Sequence, residues 1–142
     1  MKRPWVRRSY DQTRLWMRLP YSPTNRDWIL DELGSRRIRP DWNNTVSPRR
    51  WEIARTHLRP LVDALAFRFG EVDVYLEFST TERCDRRCQR AEGDDCTCSC
   101  RGEHHGGGVY WKHWTQVGEE TLVSEFGRVV RHYLVRRGDM AP

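Results

Sequence analysis

Residues 56–78 constrain the fold more than any other stretch of this chain. Leu58, Leu61, Val62, Leu65, Ala66 and Phe69 recur at helical spacing and form one apolar stripe. Pro60 is confined to the first turn, where a missing N–H is tolerated, and Gly70 closes the helix. Directly afterwards Val72, Val74, Leu76 and Phe78 alternate with Asp73, Tyr75 and Glu77, the period-two pattern of a strand with one buried face. A one-sided helix and a one-sided strand, separated by a single glycine, have to bury their apolar sides in a shared core. A helix packed on a sheet follows.

Further elements read less strongly. Leu15, Met17 and Leu19 alternate in residues 13–19 and predict a half-buried strand, which Pro20 and Pro23 stop. Thr24 offers an N-cap with Asp27 three residues on, Ile29 and Leu33 keep helical spacing, and Gly34 ends a short helix over 24–33. Residues 36–43 and 50–55 read as two short strands joined by a turn containing Asn44, Ser47 and Pro48. Residues 109–117 read as a strand and Gly118, Glu119 and Glu120 as a turn. The last segment is ambiguous. Leu122, Phe126, Val129 and Tyr133 keep helical spacing, while Gly127 and the β-branched pair Val129 and Val130 favour a hairpin, which we choose.

All five cysteines and two of the five histidines fall between Cys84 and His105, in the order Cys84, Cys88, Cys96, Cys98, Cys100, His104, His105. Soft thiolates beside imidazoles are what a zinc ion takes up, an iron-sulfur cluster being the second choice. An odd number of cysteines argues against a pure disulfide framework. The amino-terminal residues carry positive charge but lead into no apolar run, so neither a signal peptide nor a membrane span is expected, and a cytoplasmic, reducing location is.

In an extended chain alternate side chains lie about 6.5–7 Å apart on one side. Sulfurs sharing one tetrahedral zinc sit roughly 3.8 Å apart, given Zn–S bonds of about 2.3 Å. Cys96, Cys98 and Cys100 therefore share an ion only if the backbone turns at Thr97 or Ser99; otherwise they divide between two ions. One closed site or a binuclear clamp both remain open.

The same residues, with Ala91, Gly93, Gly102 and Gly106, resemble a Cys-x-x-x-Cys, Cys-x-Cys-x-Cys, Gly-x-x-His-Gly cassette found in uncharacterised proteins of bacteria and their phages. The recurrent histidine of that cassette corresponds to His105, which makes His104 the more dispensable donor. The resemblance implies a metal site and no activity.

Charge separates the two halves. Residues 1–60 carry fourteen basic and six acidic side chains, residues 61–142 eleven and fourteen. Of the 25 basic residues only Lys2 and Lys112 are lysines, and arginine is the better fork for phosphates and base edges. Seven tryptophans accompany them, most of them suited to core packing and the rest to stacking on bases. In the basic half, Arg36, Arg37, Arg39, Arg49, Arg50 and Arg55 are candidate phosphate contacts, with Trp42 or Trp51 stacking or supporting the hairpin.

Leu19, Pro20 and Tyr21, then Ile29 to Leu33, Trp42, the run Trp51, Glu52 and Ile53, and Leu58 to Leu65 resemble, in order and pattern, the HARP domains attached to annealing helicases. That resemblance implies DNA binding. No Walker loop accompanies it, so no motor activity is implied.

The expectation is an α+β fold over a single domain: a small mixed or antiparallel sheet with two helices and a metal-bound cysteine-rich loop. Residues 13–80 would form its basic α/β part, 81–108 the metal loop and 109–137 the closing hairpin or helix. Its expected function is zinc-stabilised nucleic-acid binding, DNA in the first instance. Two alternatives stand beside it. One is a protein-binding adaptor; the other is a metal-dependent nuclease using Glu103, His104, His105 or His113, which thiolate-rich, closed sites disfavour.

Overall fold

A computed structural model describes residues 3–9, 12–33, 40–45, 48–79, 114–121 and 127–137. Among these the order is β1 (Trp5–Arg8), β2 (Arg14–Arg18), α1 (Asn25–Leu33), β3 (Asp41–Asn43), β4 (Arg50–Ala54), a 3₁₀ turn (Arg55–His57), α2 (Leu58–Phe69), β5 (Glu71–Ser79), β6 (Thr115–Thr121) and β7 (Arg128–Arg136). The seven strands form one sheet in the order β3-β4-β2-β1-β5-β7-β6. β1 runs parallel to β5, and every other neighbouring pair is antiparallel. The fold is thus α+β with a mixed sheet.

The stripe on α2 packs as its spacing demands. Leu58, Leu61, Val62, Leu65 and Ala66 are buried, and they meet Val72, Val74, Leu76 and Phe78 of β5, each fully buried. The leucine, valine and phenylalanine side chains among them contribute about 1.5–3 kcal/mol each on full burial, so this helix and strand form the centre of the core. Phe69 is only partly buried and instead meets the Trp28 ring edge-on, with centroids 6.4 Å apart. Gly70 takes φ +88°, a conformation open to glycine, and its N–H donates to the Ala66 carbonyl at 2.9 Å at the end of α2. The register carries the same face outward through Val6, Met17, Leu15 and Ile53 on one side and Val135, Tyr133 and Val129 on the other.

Three expectations change. The strand β1 has no counterpart in the periodicity reading, because Arg8 stands where its pattern would want an apolar residue. Arg8 is 1% exposed, donates from Nη2 to the Glu77 carbonyl at 3.1 Å, and lies with its guanidinium 4.9 Å from the centre of the Phe78 ring. Gly118, Glu119 and Glu120 are not a turn. They belong to β6, and pairing with β7 slips at a bulge between Gln116 and Gly118, which lets the strand continue past a glycine. Arg55 leaves its expected strand for the 3₁₀ turn that opens into α2. Between helix and hairpin, residues 128–136 take the hairpin, with Gly127 at φ +82° ahead of β7.

Candidate functional site

Opposite residues of an antiparallel ladder share a face. Trp5 stands across from Arg18, and Trp5 and Arg7 stand beside Asp73 and Tyr75, so these residues lie on the side of the sheet away from the helices. Trp51 stands across from Met17 and Trp42, on the helix side. Where β2 leaves the sheet, Leu19, Pro20, Tyr21, Ser22 and Pro23 turn the chain into α1, and residues of both faces meet around that turn. A cleft of about 1050 Å³ opens there, its walls formed chiefly by Trp5, Tyr21, Trp42, Trp51 and Tyr75 with Arg3, Arg18, Arg26 and Asp73.

The turn that shapes the cleft is held locally. The Ser22 hydroxyl accepts from the Thr24 N–H at 3.3 Å, the Trp28 N–H donates to the Thr24 carbonyl at 2.9 Å, and the Asn25 N–H donates to the Ser22 carbonyl at 3.2 Å. Asn25 is 5% exposed and donates from Nδ2 to the Pro20 carbonyl at 3.2 Å, tying both ends of the turn together. Its Oδ1 has no hydrogen-bond partner among the described residues, although Asn25 lines the cleft.

The aromatic side chains differ in availability. Trp42 and Trp51 pair across β3 and β4 with ring centroids 5.6 Å apart, and Trp42 keeps 41% of its surface exposed. Tyr21 is 91% exposed at the mouth. Tyr75 stacks on His132 at 4.4 Å and 14°, and burial, then the neighbouring Asp73 carboxylate, push its phenol above the usual range against the pull of Arg3 and Arg7.

The cations differ as well. Arg3 donates from Nε to Asp73 at 3.1 Å and from Nη1 to Glu71 at 3.0 Å, and Asp73 also meets His132 Nε2 at 2.8 Å. The acidic group of the cleft is therefore already neutralised. Arg18 has no ion pair among the described residues, and Arg26 lies 5.5 Å from the centre of the Trp51 ring and likewise has none. The cleft thus presents two guanidinium groups that have no ion pair among the described residues, beside the exposed rings of Tyr21 and Trp42.

Of the residues the sequence nominated for nucleic acid, the structure brings Trp42 and Trp51 into this cleft. Arg50 faces the other side of β4 and is 8% exposed. Its guanidinium lies 3.6 Å from the centre of the Trp16 ring, bonds Glu52 at 3.1 Å and donates to the Pro48 carbonyl at 3.2 Å. Arg55 donates to the Gln12 carbonyl at 2.9 Å. Arg49 is exposed. Arg36, Arg37 and Arg39 lie outside the described residues, as do Cys84, Cys88, Cys96, Cys98, Cys100, His104 and His105. Among the described residues no group of histidines, cysteines and carboxylates is arranged to hold a metal, and no helix is long and apolar enough to cross a membrane.

Trp5, Arg18, Tyr21 and Arg26 were not nominated by the sequence. Their signal was present, since Arg18, Tyr21 and Arg26 flank the Pro20 and Pro23 stop, but only the pairing of β1 with β2 and β5 brings Trp5 to the same place. Comparisons with protein families, with curated proteins and with solved structures find no match to this chain.

Proposed function

We propose that this protein is a nucleic-acid-binding module, DNA being the first expectation, whose fold is completed by zinc held on the cysteine cassette. The observation that carries the reading is the meeting, in one cleft, of two arginines, Arg18 and Arg26, that have no acidic partner among the described residues with the exposed rings of Tyr21 and Trp42. Guanidinium groups capture phosphates and displace their counterions, while aromatic faces take up bases. The cationic excess of residues 1–60 extends that attraction, and the HARP-like order of residues 13–70 points the same way. In this reading Arg50 and Arg55 support the fold, and Arg18 and Arg26 take the role of phosphate contacts beside Arg49 and the arginines at 36, 37 and 39.

The zinc part of the proposal rests on the chemistry of Cys84, Cys88, Cys96, Cys98, Cys100 and His105, with His104 as an additional donor. Thiolate-rich sites are closed and structural, so the ion contributes folding free energy and the cleft supplies binding. A reducing cytoplasm suits such thiolates.

The test is a salt-titrated binding measurement on duplex, single-stranded and branched DNA with the whole chain. Affinity is expected to fall steeply with salt, and Arg18→Ala and Arg26→Ala are each expected to lower the slope of log affinity against log salt by about 1. Absence of binding to every form, by folded protein, would overturn the proposal.

A further inference from the structure

We infer that the cleft receives unpaired nucleobases, so that its ligand is a single strand and not a duplex. This rests on the nucleic-acid reading above and specifies the form of the ligand. A base pair inside a duplex shows its edges in the grooves and hides its ring faces against its neighbours. Tyr21, at 91% exposure, and Trp42, at 41%, offer ring surface around a concavity. Rings in a concave wall meet bases face to face only when those bases have left the stack.

The dimensions agree. A cleft of about 1050 Å³ lies just above the roughly 300–1000 Å³ typical of small-molecule sites, and so suits one or a few splayed nucleotides. Its chemistry is divided in the manner of a strand that threads past. Tyr21, Trp42 and Trp51 supply apolar faces, and Arg18 and Arg26 supply positive charge on the same walls. Asn25 adds an independent sign. It is buried, it lines the cleft, and its Oδ1 acceptor is unpartnered among the described residues. A buried acceptor without a donor is costly, and the imino and exocyclic amino groups of an unpaired base are donors of the kind it lacks.

The experiment compares four probes with the whole chain in one buffer. They are a thymidine oligomer of about 12 nucleotides, within the ~4–16 spanned by a small groove, the matching uridine oligomer, the thymidine oligomer with its bases removed, and a duplex closed at both ends by loops too short to bind. At least one of the two intact oligomers is expected to bind about tenfold or more tightly than the closed duplex and the abasic strand. The tighter of the two identifies DNA or RNA as the source. Tyr21→Ala and Trp42→Ala are expected to weaken that binding about ten- to a hundredfold, in line with the loss of one stacked base. Tyr21, being almost fully exposed, gives a variant whose fold is undisturbed even if Trp42→Ala disturbs its partner Trp51.

A closed duplex or an abasic strand bound as tightly as the intact oligomers would overturn the single-strand inference and leave nucleic-acid binding standing. Failure to bind any of the four, duplex included, would overturn both. Unchanged strand affinity in both aromatic variants would place the bases elsewhere and overturn the assignment of this cleft.

Discussion

The guanidinium of Arg50 lies 3.6 Å from the centre of the Trp16 ring, on the face of the sheet turned away from the helices. The same group is bonded to Glu52 and to the Pro48 carbonyl, so its positive charge is used inside the protein. Cation–π contact at a desolvated site is worth about 0.5–2 kcal/mol, and an ion pair and a charge-assisted hydrogen bond are lost with it. Arg50→Ala is expected to lower stability by about 1–3 kcal/mol in urea unfolding and to change nucleic-acid affinity less than about twofold. Exposed Arg49→Ala, by contrast, is expected to stay within about 0.5 kcal/mol.

Glu77 is 2% exposed, with Arg7 Nη2 at 3.2 Å from one carboxylate oxygen and Arg128 Nε at 3.8 Å from the other. Arg7 and Arg128 keep 29% and 23% of their side-chain surface, so removing Glu77 leaves them partly solvated and the loss is that of charge-assisted hydrogen bonding, about 1.5–3 kcal/mol. Glu77→Ala is expected to destabilise by that amount in denaturant unfolding. Exchanging Glu77 and Arg7 together for apolar residues should cost markedly less, and an equal or greater loss in the double variant would show that the ion pair is not the source of the penalty.

Burial holds the Tyr133 phenol above the usual range, with the Arg131 guanidinium pulling in the opposite direction. A raised folded-state value means that the folded protein keeps this proton longer than the unfolded chain does. The corresponding stability is fully present below the unfolded value of about 10 and is lost as pH rises through and beyond it. Unfolding free energy is therefore expected to decline above about pH 10. Tyr133→Phe should make that decline shallower, which chemical unfolding at a series of alkaline pH values would register.

The cassette between Cys84 and His105 yields a prediction independent of the cleft. Metal analysis of the purified protein is expected to find zinc, and Cys84→Ser or Cys88→Ser to release it, with a lowered melting temperature. Protein free of metal, whose melting does not change in a strong chelator, would remove zinc from the proposal. His104→Ala is expected to retain metal better than His105→Ala.

Periodicity was a sufficient guide wherever one face of an element is apolar throughout. The stripe from Leu58 to Ala66 and the alternation from Val72 to Phe78 are legible because every position on the buried face is a hydrocarbon. β1 has no periodic signature because two arginines, Arg7 and Arg8, fill half of its four positions, and Arg8 is buried against a carbonyl and an aromatic ring brought from β5. Local residue type also favoured a turn at Gly118 to Glu120, and the long β7 partner overrode it through a bulge. At the site, the tryptophans of the β3–β4 pair were legible from composition. Which arginines are held in ion pairs was not, since that depends on Glu52 capturing Arg50 and on Asp73 and Glu71 capturing Arg3, contacts that no spacing rule reveals.

β1 lies between β2 and β5, and among the described residues it is the strand that joins the β3-β4-β2 half of the sheet to the β5-β7-β6 half. During synthesis it can pair with β2 as soon as both have emerged, but its other edge has to wait for β5, and Arg3 meets Asp73 across a separation of 70 residues. For that interval β1 is an open edge on a nascent chain, the kind of template on which other chains add strands and aggregate. Arg7 and Arg8 put two positive charges on it, one on each face. The charges that obscured the strand are thus suited to guard it against intermolecular pairing until Glu77 and its carbonyl arrive to neutralise and cover them.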